Sequence, residues 1–402
     1  MSGFLFATGI ENSYPVIAGG TRVDEMEKCG HYRRWREDLA LVRQLGLSYL
    51  RWGPAIYQTF LGPGRYDWSW VDDVLEEMRR LRIQPILDLC HFGLPDWLGH
   101  FQNRDFPEYF AEYAAAFARR YPEIRHWTPI NEILITALFS ARYGWWNEQL
   151  ASDAAFVRAL LNLCRANLLA MHAIRRQTAA PVFVQSESIE YTHPSTPDLE
   201  KEAQFQNERR FLPLDLTYGQ PLSALMEAYL RDQGMSLEEE AFFARSSTRS
   251  GCVLGTDYYA TNEHLVKPGG STAPSGEFYG YYVIARQYYH RYGLPLMHTE
   301  TNRWDKDDAP QWLWKQWHCL LRLCQDDIPV LGFTWYSLTD QMDWDTALRR
   351  DDHRVNPVGL FDLDRNLRPV GQHYRQLIRD WQGFLPGQEV TPPHQPRRRV
   401  AA

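Results

Sequence analysis

Two glutamates, each at the end of a short apolar segment, are the residues of this chain best placed to do chemistry. Glu132 ends the segment Thr-Pro-Ile-Asn-Glu at 128–132, and Glu300 lies in Met-His-Thr-Glu-Thr-Asn at 297–302. They are far apart in the chain, so only the global fold can bring them together. If one carboxyl is protonated and the other ionised, the pair can protonate a leaving oxygen and attack an anomeric carbon. That is glycoside cleavage with retention of configuration.

Each glutamate also has a structural interpretation. Taken alone, Glu132 could cap a helix or form a salt bridge, and Glu300 could belong to a buried ion pair. Two further residues at predicted strand ends favour the chemical interpretation. Arg51 supplies a cation that can hold Glu300 ionised, and Tyr259 can donate a hydrogen bond to the same carboxylate. Glu132 would keep its proton partly because Glu300 is charged nearby.

The segments that must position these residues alternate regularly along the chain. Short apolar runs predict eight strands, at residues 4–10, 48–52, 84–89, 125–131, 182–185, 253–259, 296–299 and 330–337. Helical periodicity is found at residues 35–45, 71–81, 109–119, 154–176, 281–292, 311–323 and 373–381. Eight alternations predict parallel strands with crossover helices, closed into an α/β fold of the (β/α)8 TIM barrel type. An open doubly wound sheet is the alternative, but no glycine-rich nucleotide motif follows a strand.

The domain organisation expected from this pattern is simple. Residues 1–385 form one catalytic barrel, with an excursion around 190–250 that carries helical pieces near 223–230 and 237–244. Residues 386–402 are rich in Pro and Arg and are expected to be a disordered tail, in which Arg397, Arg398 and Arg399 are solvated.

Composition narrows the function classes. The chain has 402 residues, 44% of them hydrophobic, and a formal net charge of −7, which favours neither a nucleic-acid nor a membrane partner. No signal peptide or membrane-spanning apolar run is recognised, and the six scattered cysteines are interpreted as reduced thiols of a cytoplasmic protein. No common metal-ligand spacing is present, so we expect no metal and no cofactor. Fifteen Trp and 22 Tyr fit stacking on sugar rings or a large aromatic core.

In its motifs and their order, the chain from about residue 4 to 381 resembles glycoside hydrolase family 1, the β-glucosidase type. Residues 31–38 resemble that family's HYxRYxED segment, 49–52 its YRFS strand and 91–95 its HWDLP motif. Residues 128–132 resemble TxNE, 299–302 resemble TENG, and 336–344 resemble WSLLDNFEW. The resemblance implies a retaining β-glycosidase barrel that acts through a covalent glycosyl-enzyme intermediate.

The resemblance also implies roles for individual residues. Glu132 would be the acid/base and Glu300 the nucleophile. Asn131 would contact the sugar 2-hydroxyl, and His91 would bind the non-reducing sugar. Arg51 and Tyr259 would orient the nucleophile. Further binding or orienting contacts would come from Tyr336, Asp343 and Trp344.

The chain departs from the family mainly around the non-reducing sugar. Phe92 replaces a Trp, Tyr336 replaces the platform Trp, and Asp343 is one methylene shorter than the usual Glu. Ile133 stands where the family has Pro, which we interpret as a local backbone effect. The N-terminal QIEG motif is not recognised, and Glu11 either occupies part of that space or caps a loop.

The sequence therefore predicts a retaining β-glycosidase that acts on a small carbohydrate or glycoside. The alternatives are a transglycosidase with the same intermediate and a non-catalytic glycan-binding barrel, with a metal-dependent barrel enzyme as a third class. Three arginines after the last strand, Arg349, Arg350 and Arg354, either bind an acidic or phosphorylated sugar or pair with neighbouring aspartates; we favour the pairing. Trp145 and Trp146 either line a leaving-group site or pack in the core. The sugar, the linkage and the oligomeric state are not determined by the sequence.

Overall fold

The eight predicted strands close into one barrel. The computed structural model describes residues 3–383 apart from Gly270, together with Leu385. Every strand of the barrel is parallel to its two neighbours, and β8 pairs with β1 to complete the cylinder. The strands are β1 (Leu5–Gly9), β2 (Tyr49–Trp52), β3 (Gln84–Asp88), β4 (His126–Thr128), β5 (Val182–Ser188), β6 (Cys252–Asp257), β7 (Leu296–Glu300) and β8 (Val330–Trp335). The predicted (β/α)8 barrel is thereby confirmed.

Amphipathic helices cover the outside of the barrel. On Ser69–Leu81 the buried residues Val71, Val74, Leu75 and Met78 recur at helical spacing, so a single apolar stripe packs against the strands. The larger helices are α1 (His31–Gln44), α2 (Ser69–Leu81), α3 (Phe106–Arg120), α4 (Asp153–Arg175), α5 (Gly280–Tyr292), α6 (Ala309–Gln325) and α7 (Pro369–Trp381).

Two strand boundaries differ from the prediction in ways that matter for the site. β4 ends at Thr128, three residues early, because Pro129 has no N–H with which to continue the ladder. β5 continues to Ser188, three residues beyond its predicted end at 185. The strands are predicted from apolar runs, and Ser186, Glu187 and Ser188 are polar, so the sequence does not indicate this extension. All three residues are nevertheless buried.

The interior of the barrel is apolar at the N-terminal ends of the strands and polar at their C-terminal ends. Its N-terminal end is filled by an apolar cluster that includes Ala7, Ile86, Val184, Val253 and Met297. Since alternate residues of a strand share a face, the next inward positions lie at the C-terminal ends of the strands. Several residues at that end are polar or charged, among them Arg51, Asp88, Ser186 and Asp257, all buried. Functional residues in this fold lie at that end.

The excursion between β5 and β6 is built from short elements. Its strand Tyr191–Pro194 pairs with Glu263–Val266, which in turn pairs with Thr272–Pro274 to complete a three-stranded sheet. Both predicted helices are present, as Ala224–Asp232 and Leu237–Ser246, and two unpredicted ones precede them, Glu200–Arg209 and Leu212–Tyr218.

The loops contain other short strands and helices. The paired strands are Val16–Ile17 with Thr21–Arg22, Phe60–Gly62 with Arg65–Tyr66, and Gln341–Met342 with Val355–Asn356. The short helices are Ala18–Gly20, Glu25–Lys28, Ile56–Thr59, Asp96–Leu98, Ile133–Ala137, Leu138–Arg142, Pro197–Leu199 and Trp344–Thr346. The predicted disordered tail from residue 386 lies outside the described residues.

Within the part of the chain that the structure describes, helix α4 is long and apolar enough to cross a membrane by length and hydropathy alone. It has 23 residues and a mean hydropathy of 1.3 over its most apolar 18-residue window. Arg158 and Arg165 interrupt its apolar sequence, which is why no continuous apolar run was recognised. Within the structure 78% of that window is buried, as expected for a helix packed into a protein core.

Candidate active site

Glu300 ends β7 with both carboxylate oxygens held by other side chains. Oε1 accepts a hydrogen bond from Nη1 of Arg51, in a buried ion pair, and Oε2 accepts one from the hydroxyl of Tyr259 at 2.7 Å. The two contacts predicted from strand-end positions are therefore present. A carboxylate with two such donors is stabilised in its ionised form and has a fixed orientation.

Arg51 connects Glu300 to the rest of the site. Its side chain is 1% exposed, and Nη2 donates to Oδ1 of Asn131 at 2.8 Å. Asp88, at the end of β3, lies 3.6 Å from the same nitrogen. Burial opposes the charge on Arg51, but the surrounding acidic groups, with Glu300 and Asp257 the strongest, together outweigh it and raise the pKa of the guanidinium. Arg51 therefore remains a cation in a low-dielectric setting.

Glu132 follows β4 by four residues and has a left-handed backbone, with φ 41° and ψ 67°. Its N–H donates to the carbonyl of Ser186 on β5 at 3.0 Å, which ties this turn to the neighbouring strand. Burial, followed by the negative charges of Asp257 and Glu300, raises the pKa of the Glu132 carboxyl well above its usual value. The surroundings of Glu132 thus favour its protonated form, whereas Glu300 is held in an ion pair.

The carboxyl groups of the two glutamates lie close together, and the carboxylate of Asp257, which the sequence analysis did not single out, lies beside them. The nearest oxygens of Glu132, Glu300 and Asp257 all lie within 4.8 Å of one another. Asp257 is fully buried at the end of β6, and both of its oxygens accept from the hydroxyl of Ser186, at 2.7 and 3.0 Å. By spacing alone the three groups could hold a cation, but Arg51 and Tyr259 already occupy the oxygens of Glu300.

A fourth carboxylate, Glu187 on β5, anchors the backbone next to Glu132. Its oxygens accept from the N–H groups of Ile133 at 2.9 Å and Leu134 at 3.3 Å. These are the first N–H groups of a short helix and have no partner within it. Burial raises the pKa of Glu187 to about 8, although both backbone donors oppose that rise.

His91 lies beside this cluster and is fixed on both sides of its ring. Nδ1 lies 2.7 Å from Oδ2 of Asp88, and Nε2 lies 3.2 Å from the side-chain amide of Asn131. Burial lowers the pKa of His91, but Asp88, Glu11 and Glu300 together outweigh burial and leave the pKa raised. His91 lines the cavity, whereas Asn131 is fully buried between His91 and Arg51.

A cavity of about 1020 Å³ opens above the two glutamates. Glu11 lies in its wall, with one oxygen accepting from the N–H and hydroxyl of Ser13 and the other from Gln341 at 3.1 Å. Glu11 therefore both lines the cavity and caps its own loop, so the two predicted alternatives coexist. Phe92 and Trp344 lie in the same wall, with ring centroids 6.0 Å apart.

Two residues assigned to the sugar pocket by resemblance have other contacts here. The hydroxyl of Tyr336 donates to the carbonyl of Ile10 at 3.0 Å, and its ring lies 5.3 Å from the guanidinium of Arg51. Asp343 is buried, and its carboxylate accepts from Lys28 and from two backbone N–H groups in the loop after β8. Neither residue is part of the cavity wall.

Of the paired tryptophans and the three arginines after β8, only some line the cavity. Trp145 lines the cavity, whereas Trp146 is fully buried and donates to the carbonyl of Ala347 at 2.9 Å. Arg349 lines the cavity mouth with its guanidinium 4.5 Å from the ring of Trp145, and Arg354 pairs with Asp345. Arg350 is exposed.

Asp257 and Glu187 are the main residues that sequence reasoning missed. Asp257 could have been found, since it shares the alternation of Val253 and stands at the strand end immediately before Tyr258. Glu187 lies beyond the predicted end of β5 at residue 185, in the part of that strand that only the structure reveals. Lys28 carries no sequence signal for its role, because its partners Asp343 and Asp351 lie on a distant loop.

Comparison of the chain with known protein families and curated proteins finds related sequences. The model of glycosyl hydrolase family 1 matches residues 17–274, more than half of the chain. β-Glucosidase A of Thermotoga maritima is 27% identical over 157 residues, which are 37% of this chain and 35% of that relative. Aryl-phospho-β-D-glucosidase BglA of Bacillus subtilis is 32% identical over 117 residues, 27% of this chain and 24% of that relative. The chain thus matches about a third or less of the length of these curated relatives.

Solved structures extend the likeness to the whole barrel. The family 1 β-glucosidase of Thermotoga maritima superimposes with a TM-score of 0.78 at 17% identity, covering 94% of this chain and 98% of that one. The same enzyme in complex with deoxynojirimycin gives 0.80 at 17% identity, with coverage of 97% and 99%. At this level of identity, the agreement shows that the two chains share a fold.

Proposed function

Because this chain belongs to glycosyl hydrolase family 1, we propose that it is a retaining β-glycosidase working by double displacement. Glu300 is the nucleophile and Glu132 the acid/base. The proposed substrate is a small β-linked glycoside, whose scissile bond lies across the two carboxyl groups. Cytoplasmic action is part of the proposal and is supported by six unpaired cysteines.

The observation that carries this proposal is the short distance between the two carboxyl groups. Their nearest oxygens lie within 4.8 Å. In inverting enzymes the groups stand about 6.5–9.5 Å apart, because a water molecule must fit between the base and the sugar. At the present spacing one carboxylate can attack the anomeric carbon directly, while the other protonates the departing oxygen.

Each step follows from the hydrogen bonds of the two glutamates. In the first step Glu300, ionised and oriented by Arg51 and Tyr259, bonds to the anomeric carbon. The glycosidic bond breaks as Glu132 transfers its proton to the leaving oxygen. In the second step Glu132, now ionised, removes a proton from water, which attacks the anomeric carbon and releases Glu300.

Two substitutions test the roles separately. Glu300→Gln should abolish turnover of nitrophenyl β-glycosides. Glu132→Ala should lose most activity on glycosides with poor leaving groups and much less on activated aryl glycosides, and azide should restore its turnover as a β-glycosyl azide. The substrate panel should include neutral, acidic and 6-phosphorylated sugars. Hydrolysis by Glu300→Gln at the wild-type rate, or an α-configured first product seen by NMR, would refute the mechanism.

A further inference from the structure

Asp257 is a buried carboxylate in the reacting cluster with no role in the two-step mechanism. It is fully buried below the cavity, and its nearest oxygen lies within 4.8 Å of both Glu132 and Glu300. A carboxylate without a function is seldom found at such a position, because burying its charge is unfavourable unless the charge is compensated.

The compensation available to Asp257 is incomplete. Arg51, the guanidinium nearest this cluster among the described residues, donates to Glu300 and Asn131 rather than to Asp257. The hydrogen bonds to the Asp257 carboxylate come from neutral hydroxyl groups, those of Ser186 and Thr299. One cation thus faces three carboxyl groups, so their full ionisation is strongly opposed.

The surroundings of Asp257 indicate where the remaining proton resides. The charged and titratable groups around the cluster are Arg51 on β2, Glu132 after β4, Glu187 on β5, Glu190 in the loop after β5, Tyr259 after β6 and Glu300 on β7. Burial and the charge of Glu300 raise the pKa of Asp257 to about 7, and burial with the charges of Asp257 and Glu300 raises the pKa of Glu132 well above its usual value. Hydroxyl donors and the charge of Arg51 favour the ionised form of Asp257, whereas burial and four neighbouring carboxylates all oppose ionisation of Glu132. Asp257 is therefore the group that ionises first as the pH increases.

We propose that Asp257 is a positioning residue that keeps the proton on Glu132 until the leaving oxygen takes it. Once ionised, Asp257 places a negative charge next to Glu132 and makes loss of the Glu132 proton to solvent less favourable. After that proton has passed to the leaving group, the same charge makes the Glu132 carboxylate a stronger base toward water. Asp257 thus extends activity toward alkaline pH and assists both steps. This inference rests on the proposed function.

The decisive variant is Asp257→Asn, which removes the charge and retains the shape and an acceptor for Ser186. The direct readout is the titration of the Glu132 carboxyl by ¹³C NMR, with its resonance assigned from Glu132→Gln; it requires no turnover. The pKa of Glu132 should fall by about 1 unit or more in Asp257→Asn. An unchanged Glu132 titration in folded Asp257→Asn would overturn the proposal, whether or not the protein hydrolyses glycosides.

The kinetic readout uses the wild-type enzyme and the same variant. The alkaline limb of kcat/KM for a nitrophenyl β-glycoside should move to lower pH by a similar amount, and Asp257→Glu should restore part of the shift because it restores the charge. Loss of activity without movement of the limb would assign Asp257 a merely structural role and overturn the inference. A wild-type protein inactive on every glycoside would contradict the proposed function, while the NMR titration would still decide the role of Asp257.

Discussion

The carboxylate of Glu187 accepts a hydrogen bond of 2.9 Å from the backbone N–H of Ile133, the residue directly after Glu132. The resembled family motif has Pro at that position, and Pro has no N–H. Replacing it with Ile introduces a buried donor in the first turn of a short helix, where no partner exists within the helix. Glu187 supplies the acceptor, so this departure from the family pattern has a compensating contact on β5.

Substituting Glu187 should therefore weaken the acid/base more than the nucleophile. In Glu187→Gln one N–H of the Ile133–Leu134 pair faces an amide NH₂, and a buried unsatisfied donor costs about 1–3 kcal/mol of folding free energy. We expect kcat to fall about tenfold for poor leaving groups and much less for activated ones. Urea denaturation and a leaving-group series measure the two effects. Equal losses across the series would argue against a specific effect on Glu132.

Folding stability should decrease between pH 6.5 and 8.5. The pKa of Glu187 is about 8 and that of Asp257 about 7, both above their unfolded values, so the folded state holds more protons in this range. Stability is then lost as the pH rises, by about 1.4 kcal/mol per pH unit for each full proton. Buried His298, with a pKa of about 3, acts oppositely, but only below about pH 6.5.

Urea unfolding at pH 6.5, 7.5 and 8.5 measures this slope. Glu187→Gln cannot ionise and should flatten the slope relative to the wild type. A wild-type protein that is more stable at pH 8.5 than at 6.5 would contradict the raised pKa values.

The hydroxyl of Tyr259 should matter for the chemical step. Tyr259→Phe removes the 2.7 Å hydrogen bond to Glu300 and leaves the ring in place. Hydrogen bonds to charged groups contribute about 1.5–3 kcal/mol, so kcat should fall about 10- to 100-fold. Tyr258→Phe is the matched control, because that hydroxyl contacts Glu263 and Glu277 rather than the site. A similar loss in both variants would point to a general packing effect.

Lys28 should control the loop that carries Trp344. Its ammonium pairs with Asp343 and, at 2.8 Å, with Asp351, and its side chain is only 8% exposed. Lys28→Met leaves Asp343 buried without its cation, which is strongly destabilising for such pairs. We expect KM to rise several-fold and the free energy of unfolding to fall by about 3 kcal/mol.

The control for Lys28 is an ion pair on the same loop whose cation is exposed. Arg354, 65% exposed, pairs with Asp345. Arg354→Met should change stability by less than about 1 kcal/mol. If Lys28→Met and Arg354→Met lower the free energy of unfolding by the same amount, the burial of the Lys28 ion pair is not the cause of its effect.

Gly9 should be intolerant of any side chain, because Tyr336 occupies the space. A Cβ at Gly9 would lie 2.2 Å from the ring of Tyr336, whose hydroxyl is held by the carbonyl of Ile10. Gly9→Ala must displace that ring and is expected to destabilise the fold by about 1–3 kcal/mol and to lower activity. Gly3→Ala, which meets nothing within 4 Å, is the control. Thermal denaturation of both variants makes the comparison.

The sequence alone was sufficient for the barrel and for placing Glu132 and Glu300 at the same end of it. Hydrophobic periodicity is local, so it revealed eight strand–helix alternations, and the barrel topology then requires all C-terminal strand ends to share one rim. Glu132, Glu300, Arg51 and Tyr259 stand at or just beyond strand ends in the sequence, and the structure brings them into contact.

Only the tertiary structure decided which other polar groups face that pair. The end of β5 was hidden because Glu187 and its neighbours are polar yet buried, and burial depends on what surrounds a strand rather than on its own residues. Asp343 resembles a sugar-binding residue in the sequence, yet Lys28, more than 300 residues away, holds its carboxylate. Hydrogen bonds and charge compensation act between segments distant in the chain, so strand-end positions indicated Arg51 and Tyr259 but not the contacts that Asp257, Glu187 and Lys28 make.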